Sequence, residues 1–197
     1  MLKTKDIETL LLNKVLTGPL KDAGYDCPSG RHYVELRNVC FKVDKPYIFE
    51  ELKKYDRIDP IWYDENYSPK IKDQIGYVVS RILDNPETRQ AVLVMSDENG
   101  INTDNICTMY MHIMLDKVDD ETYDMDYIVH MRSSDAIEFG NDMEWHNKVA
   151  FIIKYMLQSY GMKINDKVRF IWNADTFHVY DHCYNEILDK MHELTPD

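Results

Sequence analysis

The spacing of hydrophobic residues along the chain switches repeatedly between a helical and a strand period. In residues 6–17 the apolar side chains recur every three or four positions, and Gly18 follows as a residue that commonly ends a helix. The same spacing in residues 69–83 opens with a proline and closes before an Asn-Pro pair. Further helices are predicted at residues 50–55, 143–160 and 182–194, and Gly161 should end the longest of them.

Other segments are rich in β-branched, aromatic and methionine side chains, a composition that favours strands. These segments are residues 32–43, 91–95, 106–115, 127–131, 168–172 and 176–180. Helical and strand patterns are interspersed along 197 residues, and no repeat, low-complexity tract or linker separates them. The sequence therefore predicts one α+β domain spanning residues 1–197, with a mixed β-sheet and flanking helices.

The net charge of −12 restricts the kinds of partner that the protein can have. Binding to nucleic acid or to an anionic membrane depends on accumulated lysine and arginine, so neither partner is expected. An anionic small molecule would need a local cationic pocket. The four cysteines form no CxxC pair, and the sequence has no secretory leader and no apolar run of about 18 residues. A reduced, cytoplasmic setting is expected.

One short segment, MRSSDA, concentrates an arginine, two serines and an aspartate between a predicted strand and a predicted helix. With IWYDEN, DQI, DNPETRQAVLV, NIC and ADTFHVYDH, it resembles the thymidylate synthase family, which includes deoxynucleotide hydroxymethylases. The fragments occur in family order between Ile61 and His182. A cysteine on a strand, followed by RSSD and then by HxY, is a more specific signal than RSxD alone.

The resemblance implies a thymidylate synthase-like fold that dimerises through its sheet, and an enzyme that uses 5,10-methylenetetrahydrofolate. The substrate would be a deoxypyrimidine monophosphate, to whose C5 carbon the enzyme transfers a one-carbon unit. Cys107 would be the nucleophile that adds to C6 and later leaves, a role for which a thiolate is well suited. Without the surrounding motifs, Cys107 would be interpreted as a buried strand cysteine. By resemblance Arg132 binds the phosphate, and its guanidinium would also favour the Cys107 thiolate.

Several arginines are candidates for the nucleotide phosphate, because planar guanidinium groups hold phosphate oxygens in pairs. Arg132 and Ser133 match the phosphate-binding pair of the family. Arg89 matches one of two adjacent family arginines that reach into the site of the partner subunit, so a homodimer is expected. Arg31 lies near the remaining phosphate loop of the family, although it could equally be a solvated loop arginine.

The sugar and the cofactor have their own candidate residues. His178 and Tyr180 match the HxY pair that binds the sugar hydroxyl, and strand alternation would point both side chains to one face. Asp135 matches the aspartate that contacts the pterin of the folate. Glu51 is matched to the glutamate that organises the proton-transfer water, as a catalytic residue. Trp62 corresponds to an aromatic residue beside the base and cofactor, with core packing as the alternative.

The base and the product are left open by departures from the family pattern. An asparagine that reads the uracil edge in most synthases has no clear counterpart in FGNDMEWHN, where Asn141, Asp142, Glu144 or His146 could stand nearest. Asp142 favours cytosine, because a carboxylate accepts a hydrogen bond from the exocyclic amine. The terminal HELTPD lacks the apolar closing tail that excludes water in typical synthases, which favours a hydroxymethyl over a methyl product.

The remaining acidic and histidine residues do not indicate a metal site. The acidic run DKVDDETYDMD lacks the glycine and spacing of a calcium loop and is predicted to be a solvated loop or hairpin. The histidines are too scattered to indicate zinc, so no metal is expected. Alternatives to hydroxymethylation of dCMP are thymidylate synthesis from dUMP, or a nucleotide-binding paralogue that has lost turnover.

Overall fold

The described part of the chain contains five helices, four of which were predicted. A computed structural model describes residues 4–22, 32–43, 60–95 and 106–194. The helices are α1 (Thr4–Leu16), α2 (Pro60–Asn66), α3 (Ser68–Asp84), α4 (Phe139–Ser159) and α5 (Tyr184–Leu194), and a 3-10 turn (Asp181–Cys183) precedes α5. Helix α2 was not predicted, and the helix predicted at residues 50–55 lies outside the described residues. As predicted, α4 is followed by Gly161, whose φ of 92° suits glycine.

The strands form one mixed sheet. They are β1 (Lys21–Asp22), β2 (His32–Val43), β3 (Val92–Val94), β4 (Thr108–Lys117), β5 (Thr122–Met131), β6 (Ser134–Asp135) and β7 (Lys163–Tyr180). Their order is β1-β2-β7-β5-β4-β3, and β6 pairs with β7 beside this path. Strands β5 and β6 run parallel to β7, whereas the other pairs are antiparallel. The prediction of an α+β fold with a mixed sheet and flanking helices is confirmed.

Alternation along the central strands places one sheet face in the core. On β4 and β5 the fully buried side chains include Met111, Ile113, Tyr127 and Val129, whereas their neighbours are partly exposed. Helix α4 is buried along much of its length, and its apolar residues belong to the same hydrophobic core. Within the described ranges, no helix is long and apolar enough to cross a membrane.

Strand β7 is one long strand, although two separate strands were predicted at residues 168–172 and 176–180. The physical reason is an interruption in its pairing with β2. Arg37 pairs with Thr176 and Val39 pairs with Ala174, whereas Asn38 and Asp175, which lie between these two pairs, are not paired with each other. The residue between them on β2, Asn38, has a φ of 53°, which asparagine tolerates better than most residues. Along β7, the alternation of buried and exposed side chains reverses next to Asn38. The sequence pattern therefore resembles two separate strands.

The acidic run is a β-hairpin, one of the two predicted alternatives. Residues 118–121 connect β4 to β5, and the Asp119 carboxylate accepts hydrogen bonds from the backbone N–H groups of Glu121 (2.9 Å) and Thr122 (2.8 Å). Other carboxylates of the run form ion pairs. Arg169 on β7 forms ion pairs with three of them, namely Asp116, Asp124 and Asp126.

Candidate functional site

Four residues that the sequence assigned to nucleotide binding line one open pocket of about 230 Å³. They are Arg132, Ser133, His178 and Tyr180. His178 and Tyr180 lie two positions apart on β7, so their side chains point to the same face of the strand. The parallel pairing of β6 with β7 sets Asp135 opposite His178, and this pairing brings the preceding residues of the MRSSDA segment to the pocket. The structure therefore brings together side chains that are far apart in the sequence.

Three more residues line this pocket and were not predicted: Tyr33, Glu35 and Thr176. In the antiparallel register, Tyr33 pairs with Tyr180 and Glu35 pairs with His178. The only signal in the sequence was the spacing of two between Tyr33 and Glu35 on a predicted strand, which puts them on one face. Spacing within β2 does not specify which strand lies beside it.

His178 is a buried, neutral imidazole with a polar neighbour. Its ring lies 4.7 Å from the Tyr180 ring in an edge-to-face arrangement. Its Nδ1 lies 3.3 Å from the hydroxyl oxygen of Ser133. Burial lowers the pKa of His178, although the carboxylates of Asp135 and Glu35 oppose that shift. A neutral imidazole can both donate and accept a hydrogen bond, as recognition of a hydroxyl requires.

Glu35 adds an ionised carboxylate to a pocket for whose phosphate a local cationic group, Arg132, had been predicted. Its side chain is 6% exposed, and its Oε1 accepts hydrogen bonds from Lys21 Nζ at 2.5 Å and Arg37 Nε at 2.6 Å. Burial by itself would raise the pKa of Glu35, but these two cationic donors lower it below the usual value. The pocket thus contains a carboxylate on the β2 side and the Arg132 guanidinium on the other.

Arg132 connects the pocket to Cys107. The Arg132 backbone N–H donates to the carbonyl oxygen of Cys107 at 2.9 Å, and its side-chain Nε donates to the carbonyl oxygen of Ile106 at 3.1 Å. The Cys107 N–H donates to the Tyr67 hydroxyl at 3.1 Å. Cys107 is partly buried just before β4 and is not among the described lining residues of the pocket. The predicted nucleophile and the phosphate ligand are therefore neighbours.

The effect of Arg132 on the Cys107 thiol has the predicted direction but is outweighed by burial. Burial and the carboxylate of Asp142 raise the pKa of the Cys107 thiol to about 11, and Asp135 adds to this shift. The Arg132 guanidinium lowers the pKa, as predicted, but its effect is smaller than that of burial. Cys107 is consequently a thiol near neutral pH.

Asp142 lies inside α4, although the helix was predicted to begin only at residue 143. Helix α4 begins at Phe139, four residues before its predicted start, and Asp142 is 5% exposed. Its Oδ1 accepts a hydrogen bond of 2.8 Å from the hydroxyl of Tyr63, which lies on α2 and is 3% exposed. Burial and the Asp142 carboxylate both raise the pKa of Tyr63, so its hydroxyl remains a donor. Asp142 is near enough to Cys107 to affect its pKa.

The other candidates for reading the base have structural partners. Asn141 is buried and donates to Glu138 at 3.4 Å, and Glu144 forms an ion pair with Lys148 at 3.1 Å. His146 is fully buried. Its Nε2 lies 3.1 Å from the Thr108 hydroxyl and its Nδ1 lies 3.2 Å from the Tyr127 hydroxyl.

The candidate cofactor residues lie on two different elements. Asp135 is partly buried, and its Oδ1 accepts a hydrogen bond from the Ile137 N–H at 3.1 Å. Within the described residues, its Oδ2 has no hydrogen bond and remains available as an acceptor. Trp62 on α2 is partly exposed and packs against Tyr63 and Tyr67, with ring centroids 5.4 and 5.5 Å away. Both side chains fit a pterin, which needs an acceptor for its N–H groups and an aromatic surface.

The remaining candidates are not part of the pocket that the structure describes. Arg89 is exposed between α3 and β3, and its guanidinium forms no hydrogen bond or ion pair with the described residues. Arg31 and Glu51 lie outside the described residues. In the described ranges, no group of three or more His, Cys, Asp or Glu side chains could hold a metal ion.

Comparison with known proteins gives no assignment, because neither a family model nor a curated protein matches the chain.

Proposed function

We propose that this protein is a folate-dependent one-carbon transferase, of the thymidylate synthase type, that acts on C5 of a deoxypyrimidine monophosphate. The observation that carries the proposal is the convergence of Arg132, Ser133, His178 and Tyr180 on one pocket beside Cys107. These are residues that the family resemblance had assigned to the phosphate and the sugar. The open mixed sheet with flanking helices supports a thymidylate synthase-like fold.

In the proposed reaction, Cys107 Sγ forms a bond to C6 of the base, which makes C5 nucleophilic. Arg132 and Ser133 bind the phosphate and hold the base against the thiol. After C5 has bonded to the one-carbon unit, C5 would lose its proton, and that electron pair would break the bond between the one-carbon unit and its carrier, leaving an exocyclic methylene on the base. Addition of water (hydroxymethyl product) or of hydride (methyl product) to this methylene would return an electron pair to C5, and that pair would expel Cys107 from C6. Because the free thiol has a raised pKa, a bound nucleotide must supply part of the driving force for addition.

Bound methylenetetrahydrofolate would supply the one-carbon unit. Asp135 would hold the pterin through its available Oδ2, and Trp62 would contact it with the exposed part of its ring. Both residues lie on elements that adjoin the Cys107 segment: Asp135 affects the pKa of Cys107, and Trp62 packs against Tyr67, whose hydroxyl binds the Cys107 N–H. Their positions support the cofactor assignment that the resemblance implies.

Cytosine is the favoured base, through Asp142. Its buried carboxylate accepts from Tyr63 through Oδ1. Each carboxylate oxygen can accept more than one hydrogen bond, so the same group can also accept from an exocyclic amine. Uracil would instead present a carbonyl oxygen to the same carboxylate, which is unfavourable. Hydroxymethylation of dCMP is accordingly the leading form of the proposal, with thymidylate synthesis from dUMP as its alternative.

A homodimer belongs to the same proposal. Arg89 is exposed and unpaired within the described residues, as a residue that completes a partner's site would be. The sheet face opposite the core carries partly exposed apolar side chains, including Val94 and Tyr110, which are 41% and 39% exposed. Burial of this face between two copies would remove these side chains from water.

A non-catalytic nucleotide-binding protein is the second candidate. The observation that favours it is the raised pKa of Cys107, because a thiol is a much weaker nucleophile than a thiolate. In that case the pocket would bind nucleotide without any chemistry at C5.

Release of tritium from C5-labelled dCMP and dUMP, in the presence of methylenetetrahydrofolate, distinguishes the two candidates. The enzyme proposal predicts release that depends on Cys107 and is absent in Cys107→Ser. Nucleotide binding by folded wild-type protein without release from either substrate would favour the non-catalytic candidate. Absence of both binding and release would reject both.

A further inference from the structure

Glu35 has one carboxylate oxygen that is bonded and one that is available. Lys21 and Arg37 both donate to Oε1, at 2.5 and 2.6 Å. In the described part of the chain, Oε2 has no hydrogen-bond partner, although the side chain is only 6% exposed. Oε2 is not one of the fully buried polar atoms that lack a partner, so it is accessible from outside the protein. Glu35 lines the pocket, so a ligand there can reach this oxygen.

The neighbour of Glu35 defines which ligand group fits. His178 is its direct partner across the β2–β7 ladder, and its neutral imidazole can donate a hydrogen bond. A hydroxyl can donate to the carboxylate and accept from the imidazole at the same time. A phosphate oxygen can only accept, so the carboxylate would repel it. The phosphate therefore fits the Arg132 and Ser133 side of the pocket, and a hydroxyl fits the Glu35 side.

We infer that Glu35 accepts a hydrogen bond from the sugar hydroxyl of the bound nucleotide and thereby selects a free 3′-hydroxyl. The inference rests on the proposed function, in which the ligand is a 2′-deoxynucleoside 5′-monophosphate, whose one free sugar hydroxyl is at C3′. Lys21 and Arg37 are positioning residues. By occupying Oε1 they keep the carboxylate ionised and aim Oε2 at the pocket.

The variant Glu35→Gln tests the inference sharply because of this arrangement. Lys21 and Arg37, which donate to Oε1 in the wild type, would donate to the amide oxygen of glutamine instead. The NH₂ group of the glutamine would then face the pocket. An acceptor is thus replaced by a donor of nearly the same shape. The variant should lose its preference for a ligand hydroxyl and should tolerate a 3′-phosphate better than the wild type does.

The measurement is the dissociation constant, by titration calorimetry, of dCMP, its 2′,3′-dideoxy analogue and its 3′-phosphate, with the dUMP series in parallel. For the wild type, loss of the hydroxyl should weaken binding roughly tenfold, and the 3′-phosphate should bind at least as poorly. In Glu35→Gln the hydroxyl and dideoxy ligands should differ by less than about threefold. Glu121→Gln, in the β4–β5 hairpin, is the matched control and should behave as wild type.

Several outcomes separate the inference from the proposed function. An equal dependence on the hydroxyl in wild type and Glu35→Gln would overturn the role of Glu35 while leaving nucleotide binding in place. Absence of nucleotide binding by folded wild-type protein would reject the proposed function and the inference with it. If Glu35→Gln does not fold, the wild-type measurements still test the inference. Equal affinity of the wild type for dCMP and for its 3′-phosphate would contradict it.

Discussion

The Tyr63 hydroxyl donates a hydrogen bond of 2.8 Å to the Asp142 carboxylate, and both side chains are buried between α2 and α4. This bond joins two helices that are distant in the sequence. It also holds the carboxylate near Cys107, whose pKa it raises. Asp142 therefore contributes to the stability of the fold and, in the proposed function, to recognition of the base.

Replacement of Asp142 by asparagine should change base preference with little loss of stability. The amide oxygen of asparagine can still accept from Tyr63, while its NH₂ group can donate to the O4 of uracil. The ratio of kcat/KM for dCMP over dUMP should fall by about tenfold or more. Asp142→Ala, which leaves the buried Tyr63 hydroxyl without this acceptor, should lower the free energy of unfolding by about 1–3 kcal/mol.

An unchanged ratio in Asp142→Asn would move the reading of the base to Asn141, Glu144 or His146. A wild-type enzyme that already prefers dUMP would contradict the preference for cytosine.

Buried His146 should make the fold sensitive to acid. Burial lowers its pKa to about 3 from the ordinary 6.5, so between these values the unfolded state binds a proton that the folded state does not. The free energy of unfolding should consequently fall as the pH drops below about 6.5, by up to about 1.4 kcal/mol per pH unit. Urea denaturation at a series of pH values measures this slope.

His146→Gln should reduce that slope by about the contribution of one proton. His192→Gln removes an exposed imidazole near the end of α5 and serves as the control. Equal slopes in wild type and His146→Gln would show that His146 does not titrate in this way.

The three cysteines of the described residues should react with iodoacetamide at different rates. Cys40 is exposed and should be alkylated first, whereas Cys183 is buried and should react last. For Cys107, a pKa of about 11 instead of 9.0 reduces the thiolate fraction near pH 8 by about a hundredfold. Its rate should keep rising up to about pH 11. Peptide mass spectrometry follows each site, and a Cys107 rate that levels off below pH 9 would contradict the raised pKa.

A site shared between subunits can be tested by mixing two inactive variants. If Arg89 completes the site of the partner, Arg89→Ala and Cys107→Ser chains should regain part of the activity when they form a heterodimer with one intact site. Subunit exchange is verified independently with labelled chains. No recovery despite complete exchange would indicate that Arg89 acts within its own chain or has no role in the site.

The sequence predicted best those features that depend on local spacing. His178 and Tyr180 lie on one face of β7 because they are two residues apart, and both line the pocket, as do Arg132 and Ser133. The helix that ends before Gly161 follows from a long apolar repeat and from the freedom of glycine at positive φ.

Features that depend on distant contacts were missed. Glu35 faces the pocket only because the β2–β7 register sets it opposite His178, and no local pattern contains that register. Tyr63 lies on a short, unpredicted helix, and its bond to Asp142 crosses between elements. The protonation state of the Cys107 thiol depends on how deeply the fold buries it. The spacing of a motif contains no information about burial.

Intact mass spectrometry can detect the proposed bond between Cys107 and C6 of a deoxypyrimidine monophosphate. A hydrogen at C5 leaves as a proton, but fluorine cannot leave in this way, so a 5-fluoro substrate analogue should trap the adduct in the presence of methylenetetrahydrofolate. The mass of the protein should increase by that of nucleotide plus cofactor, at a site that peptide mapping locates at Cys107, and Cys107→Ser should show no increase. If the folded protein binds the nucleotide but gains no mass, or gains it at another residue, Cys107 does not form this bond.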